Sequence, residues 1–175
     1  MVLNPQRYLT QLATFLNVPV KNIKVNETLI CTCTVGNNTV KGIINIIISL
    51  LMESKSSLWS TDPLEKAEIQ QWLEYGIVYA VHIDESQNLK GILSDLNDIL
   101  AIKTYLVSYK LTVADVLLYY ILLNAVASMS YLDKQKYMNV SRWFDNLQQE
   151  SCVRQNNQIV DFSTNYLTSS TQSKY

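Results

Sequence analysis

Residues 111–120, LTVADVLLYY, place one acidic side chain, Asp115, in a largely apolar run. A catalytic carboxylate, a metal ligand and a structural device are three interpretations of it. Thr112 precedes Asp115 by three residues, the spacing of a capping box, in which each side chain bonds the other residue's backbone N–H. The carboxylate also lies at the positive end of the helix dipole. The sequence therefore predicts that Thr112 and Asp115 start a buried helix near Val113, and the structural interpretation is favoured over the catalytic one.

The composition narrows the classes of protein that the chain can belong to. It has 175 residues, 48% of them hydrophobic, and a net charge of −1 without a long block of like charge. Direct nucleic-acid binding usually requires a basic footprint, so it is not expected. No basic region followed by an apolar segment opens the chain, and no apolar stretch is long enough to span a bilayer. Three cysteines, an odd count, predict free thiols in a reducing compartment. We expect a soluble intracellular protein with no membrane contact.

The order of predicted elements in the N-terminal part is typical of an α/β fragment. Apolar positions in residues 2–16 recur at helical spacing, and residues 28–35, TLICTCTV, predict a strand. Gly36 to Asn38 predict a turn. Thr39 then precedes the run VKGIINIIISLL, which we interpret as a helix buried on most sides.

Residues 53–62 are polar and end before Pro63, which predicts a linker. Helical patterns follow from Pro63, over residues 89–100, from Val113 and from Val140. We therefore predict a mixed α/β unit over residues 1–57, an all-helical unit over 63–165 and a polar tail over 166–175.

A known family matches these helical segments. Residues 65–75 (EKAEIQQWLEY), 95–100 (DLNDIL), 105–120 (YLVSYKLTVADVLLYY) and 136–144 (KYMNVSRWF) resemble the eukaryotic elongation factor 1 epsilon family. Its members are also called aminoacyl-tRNA synthetase complex-interacting multifunctional protein 3. The resemblance extends over about residues 28–160, and the capped buried helix is also a feature of the wider glutathione transferase fold.

The resemblance implies a glutathione-transferase-like fold with a reduced thioredoxin-like N-terminal half and a helical C-terminal half. It implies a non-catalytic scaffold in the multi-aminoacyl-tRNA synthetase complex, with no cofactor. The implied partners are the glutathione-transferase-like domains of methionyl-tRNA synthetase and glutamyl-prolyl-tRNA synthetase. A cytoplasmic location is expected, with a nuclear DNA-damage role and DNA-damage kinases as further partners.

A glutathione-dependent transferase is the first alternative function. Such an enzyme needs an N-terminal Tyr, Ser or Cys, a cis-proline, and a Ser or Thr where the following helix starts. Ile30 stands where we align the proline, and Thr39 alone satisfies the last requirement. Tyr8 is the one early hydroxyl in reach, and we expect it to pack beside Leu9 and Leu12. The sequence therefore disfavours a glutathione site.

The other chemistry-bearing residues indicate no catalytic or metal site. Cys31 and Cys33 share a strand face, but a zinc site needs two more ligands. Cys152 and His82 do not have metal spacing, and His82 has no nucleophile nearby in sequence. Buried free thiols are the favoured interpretation. A tRNA-binding or elongation-factor accessory module remains a second alternative function.

Two surfaces are candidate partner interfaces. The helices after Thr39 and Pro63 carry more apolar surface than a small core should absorb, although complete burial in the monomer stays an alternative. The candidate residues of this first face are Ile44, Ile47, Ile48, Leu51, Gln71, Glu74, Tyr75 and Val78.

The second candidate surface is centred on Arg142. With Asn139 as N-cap, Arg142 is the third helical residue, where a cation opposes the helix dipole. It also points away from the apolar stripe, so a contact role is a candidate, because a residue that breaks a local rule is often functional. A solvated Arg142, or one paired within its own chain, is the alternative. Ser141, Asp145 and Asn146 complete the candidate surface.

Overall fold

The computed structural model describes residues 5–25, 31–80 and 86–162. The elements in chain order are α1 (Pro5–Phe15), β1 (Val20–Val25), β2 (Cys31–Val35), β3 (Asn38–Lys41), α2 (Ile43–Ser54), α3 (Pro63–Val78), α4 (Ser86–Ile99), α5 (Val113–Ala127), α6 (Tyr131–Lys136), α7 (Met138–Gln149) and α8 (Ser151–Arg154).

The three strands form one antiparallel sheet in the order β1, β2, β3. Val35 pairs with Asn38, so a two-residue hairpin loop joins β2 to β3. Its first residue, Gly36, has a φ of 58°, which glycine adopts without steric cost. Cys31, Cys33 and Val35 of β2 are buried and alternate with half-buried threonines. The predicted strand is thus confirmed over Cys31–Val35, and residues 28–30 lie outside the described residues.

The prediction that a helix follows Thr39 directly is wrong. Thr39 is an exposed residue of β3, and α2 begins only at Ile43, after Gly42. Gly42 has a φ of 88°, and its N–H donates to the Cys31 carbonyl at 2.8 Å. Apolar residues run from Val40 almost without a break, and such a run fits a buried strand or a buried helix equally well. The sequence pattern therefore does not show where β3 ends and α2 begins.

Strand β1 was also missed, because its burial does not alternate with period two. Only Val20 and Ile23 are half-buried, and Asn22 has a φ of 55°. The register against β2 shifts between Lys21 and Lys24. This irregularity removes the alternation on which strand prediction depends.

Helix α5 is the centre of the molecule, and the buried helix that the sequence predicts near Val113 is confirmed. Twelve of its fifteen residues are buried, since α1, α3 and α7 all pack against it. Gly76 of α3 is buried, and a Cβ there would lie 3.4 Å from side-chain atoms of Leu118 and Ile121. An added methyl group would therefore make ordinary van der Waals contact with α5, which packs against α3 at this position.

The helices predicted from Pro63 and over residues 89–100 are confirmed as α3 and α4. Helix α3 is capped by Asp62, whose carboxylate accepts the Glu65 N–H at 2.9 Å. Helix α2 ends at Ser54 and packs against α3 across the predicted linker. The division into units at residues 57 and 63 stays a prediction, and residues 163–175 lie outside the described residues. In the part of the chain that is described, no helix has the length and apolar character needed to cross a membrane.

The prediction that Asn139 caps the helix near Val140 is wrong. Helix α7 starts two residues earlier than predicted, at Met138 instead of Val140, with Tyr137 as N-cap. Asn139 instead ties α7 to α4: its backbone N–H donates to Asn97 Oδ1 and its Nδ2 donates to the Asn97 carbonyl, both at 3.0 Å. The short helix α6 was not predicted, since none of its residues is buried and it lacks an apolar stripe.

Candidate functional site

Asp115 is a buried structural hub. The predicted capping box with Thr112 is present, and Asp115 Oδ2 accepts both the Thr112 backbone N–H at 3.0 Å and its hydroxyl at 2.8 Å. Oδ1 accepts the Leu106 N–H at 2.9 Å and Trp143 Nε1 at 3.0 Å. The carboxylate therefore joins the start of α5 to the preceding loop and to α7.

The surroundings of Asp115 argue for structure over chemistry. The residue has no exposed surface, and burial raises the pKa of its carboxyl while the four hydrogen bonds oppose that shift. No face of the group is left for a substrate, since both oxygens accept two donors each. The structural interpretation of residues 111–120 is confirmed.

The thiols and Tyr8 are placed as predicted from the sequence. Cys31 and Cys33 are free and buried, and burial raises the pKa of both thiols. Cys152 is free and exposed. Tyr8 is buried beside Leu9 and Leu12 in the core. His82 and Ile30 lie outside the described residues, within which no group of His, Cys, Asp and Glu side chains suits a metal ion.

The first candidate face, on α2 and α3, is only partly exposed. Ile47 and Leu51 are 0% and 2% exposed, so their assignment to a surface is wrong. They face inward because α2 packs against β2 and α3. Ile44 and Ile48 are half-buried, and Met52 continues their row at i+4 with 61% exposure.

Exposed residues form a stripe along α3, and the sequence analysis identified some of them. Gln71, Glu74 and Val78 are exposed, while Tyr75 is half-buried and lies in a groove beside α4. Leu64 was missed: it is 69% exposed and lies seven residues before Gln71, on the same helix face. We call the surface formed by Ile44, Ile48, Met52, Leu64, Gln71, Glu74 and Val78 the α2–α3 face; its partner role stays a prediction.

Arg142 is exposed on α7 but has partners within its own chain. Its Nη2 donates to the Leu100 carbonyl at 2.6 Å and to the Lys103 carbonyl at 3.3 Å. These carbonyls follow the end of α4, where a cation is favoured by the helix dipole. It is the fifth residue of α7, not the third, because the helix starts at Met138. Arg142 therefore bonds carbonyl groups just beyond the C-terminal end of α4. Its Nε and Nη1 atoms have no acceptor among the described residues.

Two of the residues predicted around Arg142 are less available than expected. Ser141 is buried, and its hydroxyl donates to the Lys134 carbonyl at 2.9 Å, so its assignment to an exposed surface is wrong. Asp145 is half-buried, and its Oδ1 accepts Gln148 Nε2 at 2.7 Å and Gln149 Nε2 at 3.1 Å. Asn146 is exposed, as predicted.

Two exposed apolar residues beside Arg142 were missed. Met138 is 68% exposed and precedes Arg142 by one helical turn, and Ile102 is 79% exposed between the two carbonyls that Arg142 contacts. Arginine is enriched among interface hot spots, and exposed apolar side chains near it add apolar surface for a contact. We call Ile102, Met138, Arg142 and Asn146 the α7 face. The folded position of Ile102 depends on a contact between residues 42 apart, which the sequence does not reveal.

Comparison with known proteins identifies the family. Over 127 residues the chain is 39% identical to eukaryotic translation elongation factor 1 epsilon-1 of Cricetulus griseus, which covers 72% of this chain and 73% of that protein. The corresponding human protein is 37% identical over the same shares. The chain belongs to the eukaryotic translation elongation factor 1 epsilon family. The resemblance seen in the sequence is thereby confirmed.

Two further similarities place this elongation factor 1 epsilon family member among related modules. A family model described as nuclear-export cofactor Arc1p matches residues 65–151. A segment of the bifunctional glutamate/proline–tRNA ligase of Mus musculus is 30% identical over 128 residues, which are 71% of this chain and 8% of the ligase. The chain is thus similar in sequence to a small part of a synthetase.

Solved structures establish the fold of this elongation factor 1 epsilon family member. The glutathione transferase BmGSTD1 of Bombyx mori matches with a TM-score of 0.69 at 14% identity, covering 93% of this chain and 90% of that one. URE2P6 of Phanerochaete chrysosporium matches with a TM-score of 0.68 at 16% identity, covering 86% and 88%. The glutathione-transferase-like fold predicted from the sequence is confirmed.

Proposed function

We propose that the chain is a non-catalytic scaffold subunit of the multi-aminoacyl-tRNA synthetase complex. It joins the glutathione-transferase-like domains of methionyl-tRNA synthetase and glutamyl-prolyl-tRNA synthetase. The observation that carries this proposal is the similarity of one chain to both elongation factor 1 epsilon and a segment of the glutamate/proline–tRNA ligase. Related modules present related surfaces, so they can associate in the way that identical subunits do.

Two separate surfaces support a bridging role, because a protein with one contact surface can only terminate a complex. The α2–α3 face offers exposed Met52, Leu64 and Val78. The α7 face offers Ile102 and Met138 around the guanidinium of Arg142. Each surface would need to bury roughly 600–1,000 Å² of this chain to form a stable interface.

The start of α2 supports the absence of glutathione chemistry. The residues there are Gly42, Ile43 and Ile44, which carry no hydroxyl or acid for a γ-glutamyl group. Tyr8 is buried, and burial raises the pKa of its hydroxyl, which makes it a poor activator of a thiol. We expect no turnover of glutathione with a chlorinated aromatic substrate; robust turnover would favour the transferase.

The cytoplasmic location, the nuclear DNA-damage role and the contact with DNA-damage kinases belong to the same proposal. They are what the resemblance to the elongation factor 1 epsilon family implies, and they are carried to this chain as parts of the proposal. Co-purification from cell lysate before and after DNA damage, with partners identified by mass spectrometry, tests these parts separately from the scaffold role.

Reconstitution tests the scaffold role directly. The purified chain is mixed with each synthetase domain alone and with both together, and the masses are measured by size-exclusion chromatography with light scattering. We expect two binary complexes and one ternary complex. Competition between the two domains for one site would contradict bridging, and no binding to either would refute the scaffold.

Matched variants assign the surfaces in that experiment. Val78→Glu introduces a charge on the α2–α3 face, where the valine is 55% exposed, and should weaken one partner. Val25→Glu is the control, because this valine is 39% exposed on β1, away from both surfaces. The control should bind both partners as the unmodified chain does.

A further inference from the structure

A groove between α3 and α4 borders the α2–α3 face, with which it shares Gln71. It has a volume of about 600 Å³, and aromatic side chains from α3 meet acidic side chains from α4 across it. The residues that carry the argument are Glu68, Trp72, Tyr75, Asp95, Asp98 and Lys103.

The groove has an excess of negative charge. Lys103 Nζ lies 3.8 Å from Glu68 Oε2 and donates to the Leu106 and Val107 carbonyls, so this cation is already engaged. Asp95 and Asp98 are three residues apart on α4 and share a helix face. Within the described ranges neither has an ion pair with a cation. Two carboxylates are thus left to attract a positive charge.

The opposite wall suits a cation as well. Trp72 and Tyr75 pack edge to face with ring centroids 5.3 Å apart. The Tyr75 hydroxyl oxygen is buried and has no hydrogen-bond partner among the described residues. Burial and the nearby Asp95 raise the pKa of Tyr75 to about 12, so the hydroxyl stays neutral and can accept a hydrogen bond. An indole face attracts cations, so the Trp72 wall favours a positive charge in the groove.

We propose that this groove binds the side chain of an arginine from a partner protein. A guanidinium is planar, so it can stack on Trp72 while its N–H groups reach Asp95 and Asp98. A lysine ammonium is strongly hydrated and cannot stack in this way. The groove is neither enclosed nor flat, so a side chain carried by a partner protein can enter it. Only the identity of the protein that supplies the arginine rests on the proposed function.

The first experiment probes the groove without any partner. N-acetyl-arginine methylamide is titrated into the ¹⁵N-labelled full chain, with the lysine analogue and spermidine as comparators. The chain has three tryptophans, so the Trp72→Phe variant identifies which indole N–H signal belongs to Trp72. We expect a saturable shift of that signal, with the arginine probe binding roughly two- to fivefold tighter than the lysine probe. Equal or tighter binding of lysine or spermidine, or no saturation, overturns the proposal.

Charge-matched variants separate a specific site from general attraction. Asp95→Asn/Asp98→Asn should weaken the arginine probe by about fivefold or more. Glu53→Gln/Glu150→Gln removes the same charge at exposed positions outside the groove and should leave binding within about twofold of the original. Equal losses in the two double variants would mean non-specific attraction and would overturn the site. The Trp143 indole signal, from a fully buried ring, reports whether each variant is folded.

The second experiment tests the partner. The affinity of each synthetase domain that binds the unmodified chain is measured for both double variants. We expect the groove variant to lose about tenfold toward one domain, and the control to lose none. Unchanged affinity for every bound domain overturns the docking role although the scaffold stands. If no synthetase domain binds the unmodified chain, the scaffold fails, and the probe titration still decides whether the groove recognises arginine.

Discussion

Two residues of the chain show how burial changes the meaning of one motif. Thr112–Asp115 starts α5, and Ser130–Asp133 starts α6 with the same three-residue spacing. Asp115 is fully buried and accepts four hydrogen bonds, two of them from Leu106 and Trp143. Asp133 is half-buried; its carboxylate accepts the Ser130 hydroxyl, and its backbone N–H donates to Ser130 Oγ. The motif spans one helical turn in both cases. Its contribution to the stability of the fold depends on how deeply the aspartate is buried and how many other residues bond to it.

We predict that Asp115→Ala destabilises the protein by about 3 kcal/mol or more. The substitution leaves the N–H groups of Leu106, Thr112 and Trp143 buried without an acceptor, and each such group costs roughly 1–3 kcal/mol. The matched variant Asp133→Ala should cost about 1 kcal/mol or less, the range of an exposed cap. Urea unfolding followed by tryptophan fluorescence measures both. Similar losses in the two variants would mean that Asp115 acts only as a cap.

Adjacent tyrosines on α5 provide a second comparison. The Tyr120 hydroxyl donates to the Val153 carbonyl at 2.8 Å and accepts Gln155 Nε2 at 3.0 Å. The Tyr119 hydroxyl is buried and unpaired among the described residues, and burial raises its pKa to about 12. Tyr120→Phe should therefore cost about 1–2 kcal/mol of unfolding free energy, while Tyr119→Phe should be neutral or slightly stabilising. A larger loss at Tyr119 than at Tyr120 in urea unfolding would contradict these contacts.

The sequence predicted the contacts between residues that are close along the chain, and it did not predict the contacts between residues that are far apart along it. The spacing of Thr112 and Asp115 is enough to predict a cap, because a capping box closes within one helical turn. The bond from Trp143 joins residues 28 apart, and it follows from how α7 packs against α5. The sequence between Asp115 and Trp143 does not indicate that these two side chains meet in the folded protein.

Among the elements, regular apolar spacing separated the successes from the failures. Helix α4 was predicted, since buried residues such as Leu93, Leu96 and Leu100 repeat at three and four. Helix α5 is buried on almost every side, and it was predicted from its cap and its apolar run. Strands β1 and β3 and helix α6 lack a regular buried stripe. Their structure depends on hairpin pairing and on contacts with neighbouring elements, which outweigh weak local preference.

Arg142 acts at the element scale, because it connects the start of α7 to the end of α4. We predict that Arg142→Ala lowers the free energy of unfolding by about 1 kcal/mol, since two carbonyls lose a charged donor. Amide hydrogen exchange should accelerate at Leu100 and Ala101, whose N–H groups bond within the last turn of α4. Arg142→Lys should restore part of the stability but little of the partner affinity, because lysine lacks the planar fork.

Arg7→Ala is the control for that prediction. Arg7 is exposed, and its contact to Asn124 Oδ1 is long, at 3.5 Å. Its loss should change neither unfolding nor exchange at α4. If Arg142→Ala leaves exchange at α4 unchanged and weakens a partner, the guanidinium serves the interface alone.

At the scale of the whole molecule, the central helix α5 holds in place the helices that carry the two candidate surfaces, the α2–α3 face and the α7 face. Helix α5 is buried by α1, α3 and α7, so the outer sides of α2, α3 and α7 remain for contacts. The sequence predicted candidate surfaces on these helices, and their partner roles stay predictions. It did not separate buried Ile47 and Leu51 from exposed Met52, because all of them are apolar and only packing decides which side faces the core.

The overall charge makes a final prediction about tRNA, the substrate of the proposed partners. Fourteen basic and fifteen acidic residues give a net charge of −1, and the α3–α4 groove is acidic. Binding to a phosphate backbone requires a cluster of cations that releases counterions. The purified chain should therefore not shift tRNA in a gel at about 0.15 M salt. A purified polycationic tRNA-binding protein serves as the positive control. Tight binding that weakens steeply as salt rises would instead support the tRNA-binding alternative, because that salt slope counts the phosphates neutralised by the protein.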